Sequence, residues 1–197
     1  AHFLSAEKKV KIMRWMQAGA PRGEGASDPL SEVPLEKVFE WQLGEPDFVI
    51  DTPQNEVPAV GILDYMYVEL ELPFSEDKWV RAFQFEPGEE RVIHNLSAFI
   101  VAPENDFWGE ERLARTSERR FLGSFIPGEN PATVFPDDSG VLIPAGHKLA
   151  LQFHYYSHGR VLRDVTTIGL YFHDSAPAQE IITRPVSAEF TLSSNDP

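Results

Sequence analysis

The segment Lys148-Leu-Ala-Leu-Gln-Phe-His-Tyr-Tyr156 alternates apolar and polar side chains along most of its length. A period of two residues is typical of a β-strand that buries one face and exposes the other. Leu149, Leu151, Phe153 and Tyr155 make up the apolar face, whereas His154 lies on the polar face. We therefore predict a strand here, with its apolar face on a core.

Other segments share this strand-like composition, and turn signals such as Pro87-Gly88 and Pro127-Gly128 separate them. They are Phe48–Asp51, Tyr65–Leu72, Glu90–Val101, Phe121–Phe125, Thr166–His173 and Ala188–Leu192. The charged stretch Glu104–Arg120 is the exception, and we predict a long loop or a short helix there. Many short strands without helices between them predict an all-β fold, an antiparallel jelly-roll β-sandwich.

The amino-terminal segment has the pattern of a single α-helix. Ser5 is a candidate N-cap, and Val10, Met13 and Met16 recur at helical spacing before Gly19. A linker rich in Gly, Pro and Ser follows the helix. We therefore predict two parts, a helix with its linker over residues 1–34 and a β-sandwich domain over residues 35–197.

Charge and composition exclude several classes of function. The 197 residues carry a formal net charge of -14 and include no cysteine. Such an acidic surface repels phosphate backbones and anionic membranes, so we expect no nucleic-acid partner. The lack of cysteine excludes thiolate metal sites and covalent c-type haem. No apolar run is long enough to cross a bilayer, so we expect no membrane span in this chain.

Histidines are the remaining candidate metal ligands, and three of them are of interest. His94 and His154 each lie within an apolar strand pattern, so each side chain is either a metal ligand or a core histidine with a hydrogen-bond partner. The residues alone favour the core histidine. His158 lies four residues after His154, about 13 Å away in an extended strand, so it belongs in one site with His154 only if the chain turns sharply.

Five segments in order resemble one known family. They are Trp41–Asp47, Ser75–Arg81, Phe85–His94, Ile143–Tyr155 and Ile168–Phe172. Together they resemble the amino-terminal domain of copper type II, ascorbate-dependent monooxygenases, in the form of bacterial proteins similar to peptidylglycine α-hydroxylating monooxygenase. The resemblance covers residues 41–193. The preceding stretch Leu4–Gly23 resembles the last helix of a c-type cytochrome domain, without a haem-binding motif.

The resemblance implies a copper site with three ligand positions, which fall on His94, Asn95 and His154. Asn95 stands where the family has a histidine, and an amide is a poor replacement for imidazole on copper. Tyr156 stands where bacterial relatives commonly have another histidine. The family binds a second copper in a following domain. We expect the two imidazoles to reach inward from neighbouring sheets, with His158 as a weaker third candidate.

Three functions follow from this resemblance. The first is a non-catalytic accessory or interaction module of an exported, periplasmic bacterial assembly, with no catalytic residue of its own. The second is a fragment or subunit of a copper monooxygenase that binds a single copper ion. The third is copper storage or delivery. The expected cofactor is thus one copper ion or none, and the expected partner is another protein or a missing second domain.

Overall fold

The computed structural model describes residues 4–21, 40–104, 107 and 120–184. Over these residues the chain is mostly β, with one helix and several sheets that are largely antiparallel. The chain divides into two compact units, residues 1–39 and residues 40–197. The boundary predicted at residue 34 lies outside the described residues.

The predicted amino-terminal helix is confirmed as α1, Ala6–Gln17. The side chain of Ser5 accepts a hydrogen bond from the backbone N–H of Lys8, as an N-cap does. Beyond the helix, Gly19 adopts a φ of 85°, which suits glycine because it has no Cβ. No described side chain of α1 is buried. In the described part of the chain, no helix combines the length and apolarity needed to cross a membrane.

Twelve strands follow along the described part of the second unit. They are β1 (Phe48–Asp51), β2 (Asn55–Val57), β3 (Met66–Glu71), β4 (Lys78–Pro87), β5 (Ile93–Val101), β6 (Arg120–Phe125), β7 (Ala132–Val134), β8 (Ser139–Ile143), β9 (Lys148–Tyr155), β10 (Leu162–Asp164), β11 (Thr166–Phe172) and β12 (Gln179–Glu180). Six predicted strands are confirmed with ends shifted by at most three residues, namely β1, β3, β5, β6, β9 and β11. The predicted strand Ala188–Leu192 and most of the predicted loop Glu104–Arg120 lie outside the described residues.

Two sheets contain most of these strands. The large sheet has the order β1-β11-β4-β8-β12, with β7 also paired to β4. The small sheet has the order β3-β9-β5-β6 and is antiparallel throughout. Strands β2 and β10 form a separate antiparallel pair. Only the short pairing of β12 with β8 is parallel among the described strands.

The two sheets share one hydrophobic core, which makes the domain sandwich-like. Buried side chains of both sheets pack in a single cluster, including Phe83 and Phe85 from the large sheet and Leu151 and Phe153 from the small one. The sheets approach closely at Gly123 of β6, where a Cβ atom would overlap the ring of Phe83. The finer prediction, a jelly-roll connection of the strands, stays a prediction.

Candidate metal centre

Strand β9 determines the direction in which His154 points. Leu149, Leu151 and Phe153 are fully buried, and Tyr155 is nearly so, because they face the core. His154 lies between two of these positions and therefore points to the outer face of the small sheet, where it is half-buried. The polar face predicted for this strand is thus confirmed.

Strand β5 brings His94 to the same face through a β-bulge. Ile93 and Leu96 are both fully buried although they lie three positions apart, which regular alternation does not allow. The pairing with β9 shifts between Ile93, opposite Tyr155, and Asn95, opposite His154, so His94 is an extra residue. A bulge of this kind re-aims side chains. His94 is accordingly exposed and Asn95 half-buried.

The bulge places three rings in a row on the outer face. The centroids of the His94 and His154 rings are 4.8 Å apart, with their planes at 52°. On the other side of His154, the ring of Tyr65 lies with its centroid 4.7 Å away. The expectation of imidazoles reaching inward from neighbouring sheets was wrong, because strand pairing puts both histidines on adjacent strands of one sheet, facing outward. Neither is a core histidine.

The separation of the two imidazoles fits a shared metal ion. A ring nitrogen bound at about 2.0 Å places its ring centroid about 3 Å from the ion. Two imidazoles on one ion can therefore have their centroids no farther apart than about 6 Å. The observed separation of 4.8 Å lies within this limit. His94 and His154 are thus the residues that would hold an ion here, and imidazole is a suitable ligand for copper and zinc.

His94 makes a side-chain contact with its neighbour Asn95. Its Nδ1 lies 3.0 Å from Oδ1 of Asn95. Because an amide oxygen only accepts hydrogen bonds, this contact is a hydrogen bond when Nδ1 carries the proton. In that tautomer the lone pair of the ring lies on Nε2. Within the part of the chain that the structure describes, neither ring nitrogen of His154 has a hydrogen-bond partner.

The structure does not bring His158 into this cluster. His158 is exposed in the turn after β9, where the backbone N–H of Gly159 donates to the carbonyl of Ala59. It lies near Glu89, whose pKa is lowered first by a hydrogen bond from Arg91 and, to a smaller degree, by the charge of His158. Among the described residues, no group of three or more His, Asp or Glu side chains could hold a metal ion. The candidate centre therefore has two imidazole ligands.

The remaining described histidines lie elsewhere. The Nε2 atom of His173 is 2.9 Å from the carbonyl oxygen of Ser139, and the Nδ1 atom of His147 is 3.5 Å from that of Ala145. The partner of His147 lies in its own turn, whereas the partner of His173 lies at the start of β8. They serve as natural controls for experiments on the candidate centre.

Sequence reasoning missed a buried polar network on the opposite face of β9. The carboxyl group of Asp164, fully buried, accepts hydrogen bonds from the Tyr155 hydroxyl (2.9 Å), the Thr166 hydroxyl (2.9 Å) and the Glu89 backbone N–H (2.9 Å). Asn55 donates to the Tyr155 hydroxyl at 3.2 Å. Burial raises the pKa of Tyr155 well above its ordinary range, and the charge of Asp164 raises it further. The only signal in the sequence was an aspartate next to short apolar strands.

Comparison with models of known protein families finds no match, and comparison with curated proteins finds none either. The resemblance to copper monooxygenases therefore stays a prediction from the motifs. The geometry on the outer face of the small sheet is independent of that resemblance.

Proposed function

We propose that the β domain is a copper monooxygenase-like jelly-roll module that binds a single copper ion between His94 and His154. The observation that carries the proposal is the placement of two imidazoles 4.8 Å apart on a bulged strand and its neighbour. The retained Trp41–Asp47 and Ile143–Tyr155 segments support the same proposal through the resemblance.

The residues of this chain prepare the site for a soft-to-borderline cation. The two imidazoles come from paired strands, in which the neighbour of His94, Asn95, stands opposite His154, so both histidines are held on rigid elements. Tyr65 packs on the free side of His154 and restricts its ring rotation. Copper bound there would supply one-electron redox chemistry, and imidazole is a good ligand for it.

We further propose that this module does not hydroxylate a substrate by itself. The family that the chain resembles uses two coppers, and the second is held by a His-x-His and a Met of another domain. The sequence contains no His-x-His. The module then acts as an accessory or subunit in an exported, periplasmic assembly, and its partner is a protein or domain that carries the oxygen-activating half.

Copper retention tests the proposal directly. The purified chain is loaded with Cu²⁺, desalted and analysed for metal. We expect about one copper per chain for the unaltered protein and a large loss for His94→Ala and His154→Ala. His147→Ala and His158→Ala serve as matched controls, because both remove an imidazole outside the pair. A chain that retains no copper, or pair variants that retain as much as the controls, would contradict the proposal.

A second candidate function is a metal-free interaction module. The observation that favours it is the small ligand set, since the described residues bring only two imidazoles together and Asn95 occupies the third ligand position. This candidate predicts no copper after desalting and a partner that is recovered equally well by the unaltered protein and by the His94→Ala, His154→Ala double variant.

A further inference from the structure

We infer that two neighbouring loops of the β domain form a self-complementary surface, through which two copies of this chain associate about a twofold axis. The loops are residues 58–65, between β2 and β3, and residues 156–161, between β9 and β10. The inference goes beyond the proposed function, because it does not depend on a bound metal ion.

The two loops expose a group of apolar side chains, which we name the loop patch. Its members are Val60, Ile62, Tyr65, Tyr156 and Val161. The side chain of Ile62 is fully exposed, and that of Val60 is 78% exposed. Single exposed apolar residues are ordinary on a protein surface, whereas several in one patch mark an interaction site. Tyrosine is also among the residues enriched in protein interfaces.

Hydrogen bonds between the loops hold the loop patch together. The backbone N–H of Gly159 donates to the carbonyl oxygen of Ala59 at 2.8 Å, and the hydroxyl of Ser157 donates to that of Gly61 at 3.3 Å. The pairing of β2 with β10 joins the bases of the two loops. A surface whose backbone is already ordered loses little conformational entropy when it docks.

The charges of the loops favour a second copy as the occupant. The loops contain one acidic and one basic residue, Asp64 and Arg160. Both are exposed, and neither has an ion-pair partner among the described residues, whereas the nearby Arg163 pairs with Glu56. In a twofold contact the same surface meets itself, so Asp64 of each copy can pair with Arg160 of the other.

The neutrality of the two loops also counts against a lipid surface. Binding to an anionic membrane depends on an excess of Lys and Arg. The loops have no such excess, although the whole chain carries a net charge of -14. Because the loops themselves are neutral, two copies of the loop patch meet without net repulsion between them.

Sedimentation of the full, metal-free chain over a range of concentrations tests the inference. A surface of this size fits a weak dimer, so the mass should rise from that of one chain at about 1 μM toward that of two at about 1 mM. Ile62→Asp places a charge in the loop patch and should keep the chain monomeric over this range. Ile182→Asp makes the same change at another exposed isoleucine and should dimerise like the unaltered chain.

Charge reversal tests the twofold pairing itself. Asp64→Arg and Arg160→Asp each bring like charges together, so either variant alone should dimerise at least about tenfold more weakly. A mixture of the two variants restores both opposite-charge pairs in a mixed dimer. The mixture should therefore associate about as strongly as the unaltered chain.

Three results would overturn the inference. An unaltered chain that stays monomeric up to about 1 mM would leave the loop patch to a different protein or to a lipid surface. A dimer that persists in Ile62→Asp would show that the copies meet elsewhere. A mixture of the two charge-reversal variants that associates no better than its components would exclude the twofold pairing of Asp64 with Arg160.

Discussion

His154 and Tyr155 are neighbours on β9, yet their surroundings differ in almost every respect. Tyr155 faces the interior, where its hydroxyl accepts from Asn55 and donates to the buried carboxyl group of Asp164. His154 faces outward, where it touches two rings and has no hydrogen-bond partner among the described residues. One side chain belongs to a completed polar network, and the other leaves its ring nitrogens available.

The difference shows how burial separates structural from functional polar groups. A buried polar group must be hydrogen-bonded, because an unsatisfied one costs free energy on folding. The Asp164 network meets this requirement and ties together strand ends from β2, β9 and β11. An imidazole pair on the outer face of the sheet has no such requirement, since water can satisfy it. Its close spacing therefore calls for a different explanation, and ligand binding is the one we propose.

Removal of the buried carboxyl group should have the largest effect on stability. Asp164→Ala leaves the Tyr155 hydroxyl, the Thr166 hydroxyl and the Glu89 N–H without their acceptor. We expect a loss of about 3–5 kcal/mol in the free energy of unfolding, measured by urea denaturation. A loss below about 1 kcal/mol would show that the network is not structural and would remove the contrast with the outer face.

Addition of a third imidazole should strengthen the outer site. Asn95→His restores the ligand that the resemblance assigns to this position, next to His94 on the bulge. The extra copper bond should outweigh the lost acceptor for His94 Nδ1, so we expect copper affinity to rise about tenfold or more. Competition titration against a chelator measures this change. Unchanged affinity would mean that position 95 does not face the ion.

Substitutions on the two faces of β9 should have different effects. A change on the inner face should lower stability, and a change on the outer face should weaken copper binding. Tyr155→Phe keeps the ring stacked on Phe153 but removes the hydroxyl, and we expect a loss of about 1–2 kcal/mol with copper retention unchanged. His154→Ala should cost less than about 1 kcal/mol and cause a large loss of copper retention. Chemical denaturation and metal analysis on both variants check this. Equal destabilisation by the two variants would contradict the division of roles.

The smallest expected effect concerns the pKa of Glu89, whose backbone N–H donates to Asp164. The hydrogen bond from Arg91 holds the pKa of Glu89 below its ordinary range, with a further contribution from the positive charge of Arg91. A lowered pKa in the folded state means that Glu89 contributes stability above its unfolded pKa and loses it as the pH falls through the folded value. In Arg91→Gln the Glu89 pKa should rise toward the ordinary range, as a ¹³C NMR titration of the carboxyl group would show. An unchanged pKa would contradict this assignment.

The pattern of the sequence predicted local structure well. The helix followed from Ser5 and the spacing of Val10 and Met13, and β9 followed from alternation, because both depend on residues that are near in the chain. The bulge was also visible in principle, since Ile93-His94-Asn95-Leu96 places two polar residues between two buried ones. That pattern interrupts a period of two and indicates an extra residue.

Contacts between distant segments could not be predicted in the same way. Alternation places His94 and His154 on strands, but it does not state which strands pair, so the expected arrangement across two sheets was wrong. The network around Asp164 joins residues from four separate segments, and its hydrogen bonds exist only after the chain has folded. The position of His158 depended on the direction of a turn that sequence spacing leaves open.

The number of imidazoles bound to copper tests the central claim most directly. Pulsed electron paramagnetic resonance of the Cu²⁺-loaded chain detects the remote nitrogen of each equatorial imidazole. We predict two imidazoles in the unaltered protein and one in each of the variants His94→Ala and His154→Ala, with two retained in His158→Ala. A loaded chain that shows no bound imidazole, or a count that does not change in the His94 and His154 variants, would contradict the account.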